Sequence, residues 1–131
     1  MTNDSWESLV PFAGLLGIAV EEADRSGVRA TLAWREELCT TGGAMHGGAI
    51  MSLADTTGAI LAFLNLPDAD AGTTTISSAT QFIRGLSRGT AQATARLLHA
   101  GRTTIVVETD VTDADGKLVA RVTQTQAVLT A

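Results

Sequence analysis

One long helical pattern interrupts a chain that otherwise reads as strands, and it restricts the folds open to this sequence. It occupies residues 45–66, MHGGAIMSLADTTGAILAFLNL. At about 100° per residue, Ala49, Ile50, Leu53, Ala54, Thr57, Ile60, Leu61 and Leu64 share one side and form a core-facing stripe. Gly48, Ser52, Asp55, Ala59 and Ala62 fall on the other side, and all are small except Asp55. Such a face admits another backbone, a second subunit or a ligand.

The strands flank this helix. Residues 17–23 and 28–34 read as a pair joined by a turn around Asp24–Gly27, with Val28, Ala30, Leu32 and Trp34 in alternation. Three long strands are expected at about 73–84, 89–99 and 103–112, then a hairpin turn at DADG (113–116) and a last strand at 117–129. Residues 4–10 read as a short helix capped by Asn3 or Asp4 and stopped near Pro11, so that residues 1–14 form an N-terminal helical extension. Residues 35–46 and 65–72 are loops. The expected architecture is α+β, with an antiparallel sheet against one central helix. One helix on one sheet leaves an outer face and an edge strand to manage, often by dimerisation.

The 131 residues suffice for one domain with one core. A formal charge of −5 argues against nucleic acid or an anionic membrane as partner. The single Cys39 excludes an intramolecular disulfide and a multi-cysteine metal site. The start MTNDSWESLV shows no signal peptide, and the longest apolar stretch, AILAFLNL, is too short to span a bilayer. A cytoplasmic location is the expectation.

The helix start is where chemistry is concentrated. Its first N–H groups have no partners in their own turns, and glycine allows a ligand to approach them closely. An oxyanion held at Gly47 would lie about 10–12 Å from Asp55 by helix rise. No single side chain serves both ends, so the site needs a bent path, a long substrate or a second subunit. From pattern alone, Asp55 reads equally as a solvated residue, the glycines as a tight turn and His46 as structural. Still, Asp is poor in mid-helix, and Asp55 lies too deep to be an N-cap.

Element order and motif together resemble the hotdog-fold acyl-CoA thioesterases of the phenylacetic-acid-degradation type, within the 4-hydroxybenzoyl-CoA thioesterase superfamily. The resemblance spans roughly residues 15–130. GGAMHGGAIMSLADT (42–56) is similar to the family's Gly-x-x-His-Gly-Gly followed by Leu-Ala-Asp-Thr. ATQFIRG (79–85) is similar to its strand ending in arginine, and residues 99–129 to its closing hairpin. The resemblance implies a sheet wrapped around the long helix and hydrolysis of a thioester to free acid and CoA. Asp55 would be general base or nucleophile, Gly47 would polarise the carbonyl through its N–H, and His46 would line the site. Gly48 and Thr56 belong to the matched motif and join the substrate-binding set. Active sites would lie between subunits of a homodimer or homotetramer. A Ser or Thr at the start of the next strand would assist the carboxylate of the partner subunit, with Thr73, Thr74 and Thr75 as candidates. No cofactor is implied, since coenzyme A is part of the substrate, and no metal.

Two positions depart from the family pattern. Thr40 stands where an Asn or Gln often precedes the histidine by six residues, and its hydroxyl is shorter with no amide donor. Gly85 stands where a proline often follows the strand arginine. Arg84, Arg88 and Arg102 fall at strand ends and turns, positions from which they could reach CoA phosphates. A Ser–His–Asp triad from Ser52 or Ser77 with His46 or His99 is disfavoured, because neither serine sits in a nucleophile elbow. Cys39 lacks an identifiable base, and two histidines with scattered acids give no metal-ligand spacing. The rival functions are a non-catalytic acyl-CoA-binding hotdog module, which would have no need of Asp55, and a hotdog dehydratase or hydratase, whose proline-rich motif is absent around His46.

Overall fold

The computed structural model describes residues 3–130, with side chains described from Trp6 onward. Two short helices, α1 (Asn3–Leu9) and α2 (Pro11–Leu16), precede a hairpin of β1 (Ala19–Asp24) and β2 (Gly27–Ala33). The long helix α3 (Gly47–Leu64) follows, then β3 (Gly72–Phe82), β4 (Thr90–Ala100), β5 (Thr104–Thr112) and β6 (Leu118–Leu129). The six strands form one antiparallel sheet in the order β1-β2-β4-β5-β6-β3. It wraps around α3, the hotdog arrangement that the resemblance implied.

Pro11 does not simply end a helix. It opens α2 from the first helical position, where its missing N–H costs nothing. Gly17 then closes α2 in the left-handed region at φ 86°, a conformation that glycine adopts without a Cβ penalty. The expected caps Asn3 and Asp4 have side chains outside the described residues.

Alternation along the strands buries Val28, Ala30 and Leu32 of β2, Ala91, Ala93 and Ala95 of β4, and Ile105, Val107 and Val111 of β5. The alanine row on β4 leaves room for α3 to lie close across β4 and β5. Asn65 fastens the helix end, its Nδ2 donating to Leu61 O at 2.9 Å and to Arg25 O in the β1–β2 turn at 3.0 Å.

The helix is covered more widely than one stripe. Ala62, expected on the open face, is fully buried, as is Gly58, whereas Ala49 and Leu64 are only half-buried. A curved sheet contacts a helix through more than one stripe, so the 100° pattern underestimates the buried face. By length and apolar composition α3 could cross a bilayer, but half of it is buried inside the fold. The sheet ends at two edges, β1 and β3, and most of β3 is exposed.

Candidate active site

His46 is the N-cap of α3. Its Nδ1 accepts the Gly48 N–H at 2.7 Å, so in the neutral ring the proton resides on Nε2. Glycine is required at 48 for this geometry: a Cβ there would lie 2.9 Å from Nδ1 and 3.1 Å from Cε1. The cap occupies the Gly48 N–H, while the residue itself still lines the groove along α3. Gly47 differs, since among the described residues its N–H has no acceptor. The Phe82 ring flanks it, 3.1 Å from where a Cβ would be. The helix mouth thus offers one free N–H, at the positive end of the helix.

Two turns further along, Asp55 stands on the exposed side of α3. Its Oδ1 accepts the Gln124 amide at 3.2 Å and the Thr75 hydroxyl at 3.4 Å. Thr75 in turn accepts Gln126 Nε2 at 2.7 Å, and Gln126 Oε1 accepts the Thr73 hydroxyl at 3.1 Å. Among the described residues Oδ2 has no donor. Of the three candidate threonines, Thr75 meets the carboxylate of its own chain, Thr73 acts one step behind it, and Thr74 has no side-chain bond among the described residues.

A bulge in β3 sets this up. The register to β6 slips between Thr75 and Ser77, so Ile76 is the extra residue. Such an insertion exchanges the faces of the residues beyond it. Thr75 before the bulge and Ser78 and Phe82 after it can therefore all face α3, although strict alternation would separate them.

Two cavities meet at Asp55. One of about 280 Å³ runs along α3 past Gly48, Met51, Ser52 and Ser78. The other, of about 340 Å³, is an open apolar groove lined by Trp6, Leu9, Val10, Ala59, Ile60 and Phe63, with Thr56 in its wall. Thr40 is exposed in the loop before α3, and its N–H bonds Ala44 O at 2.9 Å.

The arginines do not gather at one place. Arg84 and Arg88 lie in the β3–β4 connection, near the helix mouth, where Leu86 O accepts the Met45 N–H. Arg102 sits in the β4–β5 turn at the opposite end of strands about 35 Å long. Ser52 donates to Gly48 O and Cys39 to backbone carbonyls, and among the described residues neither bonds a base. Among the described residues no group of three His, Cys, Asp or Glu side chains converges.

The sequence reading missed Gln124 and Gln126. Both are buried on β6, in phase with the core residues Ala120 and Val122. A polar side chain at a core-phase position of a strand is a signal in itself, and it was available in VARVTQTQ.

Residues 42–120 match the profile of the thioesterase superfamily. A presumptive esterase of Saccharolobus solfataricus, SSO2140, is 35% identical over 106 residues, 81% of this chain and 74% of that protein. A variant of thioesterase PA1618 of Pseudomonas aeruginosa has a crystal structure that superposes with a TM-score of 0.93 at 26% identity, covering 100% of this chain and 96% of that one. The E. coli PaaI protein of the phenylacetic acid degradation operon reaches a TM-score of 0.88 at 22% identity, covering 98% of this chain and 91% of that one, a likeness of fold.

Proposed function

Because this chain belongs to the thioesterase superfamily, and thioester hydrolysis is the activity that membership supports, we propose that it hydrolyses an acyl-CoA to free acid and CoA, as in the phenylacetic-acid-degradation type. The observation that carries this reading is the pairing of one free helix-terminal N–H at Gly47 with a carboxylate at Asp55 whose Oδ2 is uncommitted. Hydrolysis requires a donor for the developing oxyanion and an activated oxygen for the attack. Gly47 is the donor, His46 caps the helix mouth next to it, and Asp55 is general base or nucleophile. The apolar cavity beside Asp55 favours an uncharged acyl group. Arg84 and Arg88 hold the CoA phosphates near the helix mouth, and Arg102 contributes from a second chain. The working form is a homo-oligomer with sites between subunits.

Asp55→Asn tests the reading. The amide keeps the shape and its oxygen still accepts from Gln124 and Thr75, so folding is retained. Release of free thiol from acyl-CoA should fall at least about 10²-fold in kcat with little change in KM. A folded variant with near wild-type turnover would remove Asp55 as base or nucleophile, whereas acyl-CoA binding without thiol release by the wild-type chain would favour the binding-module alternative.

A further inference from the structure

We propose that Gln124 is a positioning residue for Asp55, reaching it through a gap that Gly58 leaves open; this rests on Asp55 being the catalytic carboxylate. Gln124 lies on β6 with 1% of its surface exposed. Its Nε2 donates to Asp55 Oδ1 at 3.2 Å, while its Oε1 is buried with no partner among the described residues. An unpaired buried amide oxygen lowers stability, and an apolar side chain of the same length would avoid that cost. Stability therefore does not explain a glutamine here.

The helix makes a matching concession. Gly58 is a mid-helix glycine, roughly 1 kcal/mol worse than alanine in intrinsic propensity. A Cβ at 58 would lie 2.8 Å from Gln124 Cδ and 3.0 Å from Val107 Cγ2. The missing side chain is the space that the glutamine occupies beneath α3. Gly58 is three residues beyond Asp55, on the adjacent turn, so this space opens beside the carboxylate. With Thr75 on the same oxygen, Gln124 holds Oδ1 and leaves Oδ2 for water or the thioester carbon.

Gln124→Met tests this, since it keeps the length and removes the donor. The expected result is a kcat about 10- to 100-fold lower, the scale of one lost hydrogen bond to a charged group. KM should stay within about twofold, and the melting temperature should hold or rise. In an Asp55→Asn background Gln124→Met should cause no further loss, because its effect passes through Asp55. Gly58→Ala, which displaces the glutamine, should lower kcat in the same way while retaining the Gln124 side chain. Unchanged kcat in Gln124→Met with Asp55→Asn inactive would overturn this inference and leave the proposed hydrolysis standing. An active Asp55→Asn would remove both this inference and the proposed role of Asp55 in the hydrolysis. A lower melting temperature with unchanged kcat would make Gln124 structural only.

Discussion

Gly47→Pro isolates the oxyanion donor with little disturbance to the fold. Gly47 is the first residue of α3, the helical position where proline is tolerated. The preceding His46 has φ −59° and ψ 136°, the extended conformation that a following proline demands. Proline also limits the unfolded chain, a gain of about 0.4–1 kcal/mol. Against this, the new Cβ would sit 3.1 Å from Phe82 Cζ and 3.3 Å from Cε1, so the ring must give by a few tenths of an ångström. Phe82 is 51% exposed and free to yield. The terms nearly cancel, and the melting temperature should move by no more than about 5 °C. Loss of the N–H should lower kcat by about 10²–10³, the usual effect of deleting one oxyanion donor. Gly47→Ala is the control, with the same Cβ against Phe82 and the N–H retained, and it should stay within about threefold of wild type. Circular-dichroism melts and thiol release from acyl-CoA provide both readouts. Wild-type turnover in folded Gly47→Pro would refute the donor, and equal losses in both variants would assign the effect to Phe82.

Mixed oligomers of Gly47→Pro and Asp55→Ala chains should regain up to half of the active sites if each site draws on two subunits, and none if it lies within one chain; activity titrated against mixing ratio distinguishes these. Arg84→Ala with Arg88→Ala should raise KM for acyl-CoA far more than for an acyl-thiol without phosphates, and added salt should act in the same direction; an equal response of both substrates would make these arginines structural. Hydrogen bonds from Arg121, with further help from Arg96, hold the Asp110 carboxyl below its ordinary range despite partial burial. A carboxyl depressed in the folded state contributes stability above its ordinary range, and the contribution disappears as pH falls through the depressed value. Asp110→Asn should therefore lower the urea midpoint at neutral pH, with the difference from wild type closing as pH falls below the ordinary carboxylate range; a constant difference would show that packing rather than charge is responsible.

Residue pattern alone revealed much of this fold because its signals are local. Period-two alternation in β2 and β5, with turn residues marking off the other strands, located six strands to within about two residues, and the 3.6-residue period located α3. His46, Gly47, Gly48 and Asp55 were visible because a glycine pair at a helix start and a lone acid in an apolar helix are unusual within a short window. What stayed hidden depends on pairing between distant segments. Thr75 could not be chosen over Thr73 or Thr74 without the bulge at Ile76 and the register to β6. The separation of Arg102 from Arg84 and Arg88 needed the direction of each strand. Gln124 carried a local signal, but its target lies 69 residues away. Gly58 carried no signal of its own in the sequence, and only the glutamine beneath it gives a reason for the missing Cβ.

The geometry of α3 also bears on how many chains a site requires. For Asp55 to attack a thioester carbonyl directly while Gly47 holds its oxygen, the attacking oxygen and the Gly47 nitrogen must lie within about 7 Å of each other. Eight residues of helix separate the two by about 12 Å along the axis. The Asp55 side chain leans toward the helix start and narrows the gap, as every helical Cβ does. However, Gln124 and Thr75 tether Oδ1 to strands of the same chain, so the carboxylate cannot swing freely toward Gly47. Within one chain the remaining distance suits a water molecule between carboxylate and thioester better than direct attack. A second chain would remove the restriction if its helix mouth approached Asp55 across the exposed β3. The choice between base and nucleophile is thus tied to the number of chains in a site: a monomeric site points to general-base chemistry, whereas a shared site leaves both routes open.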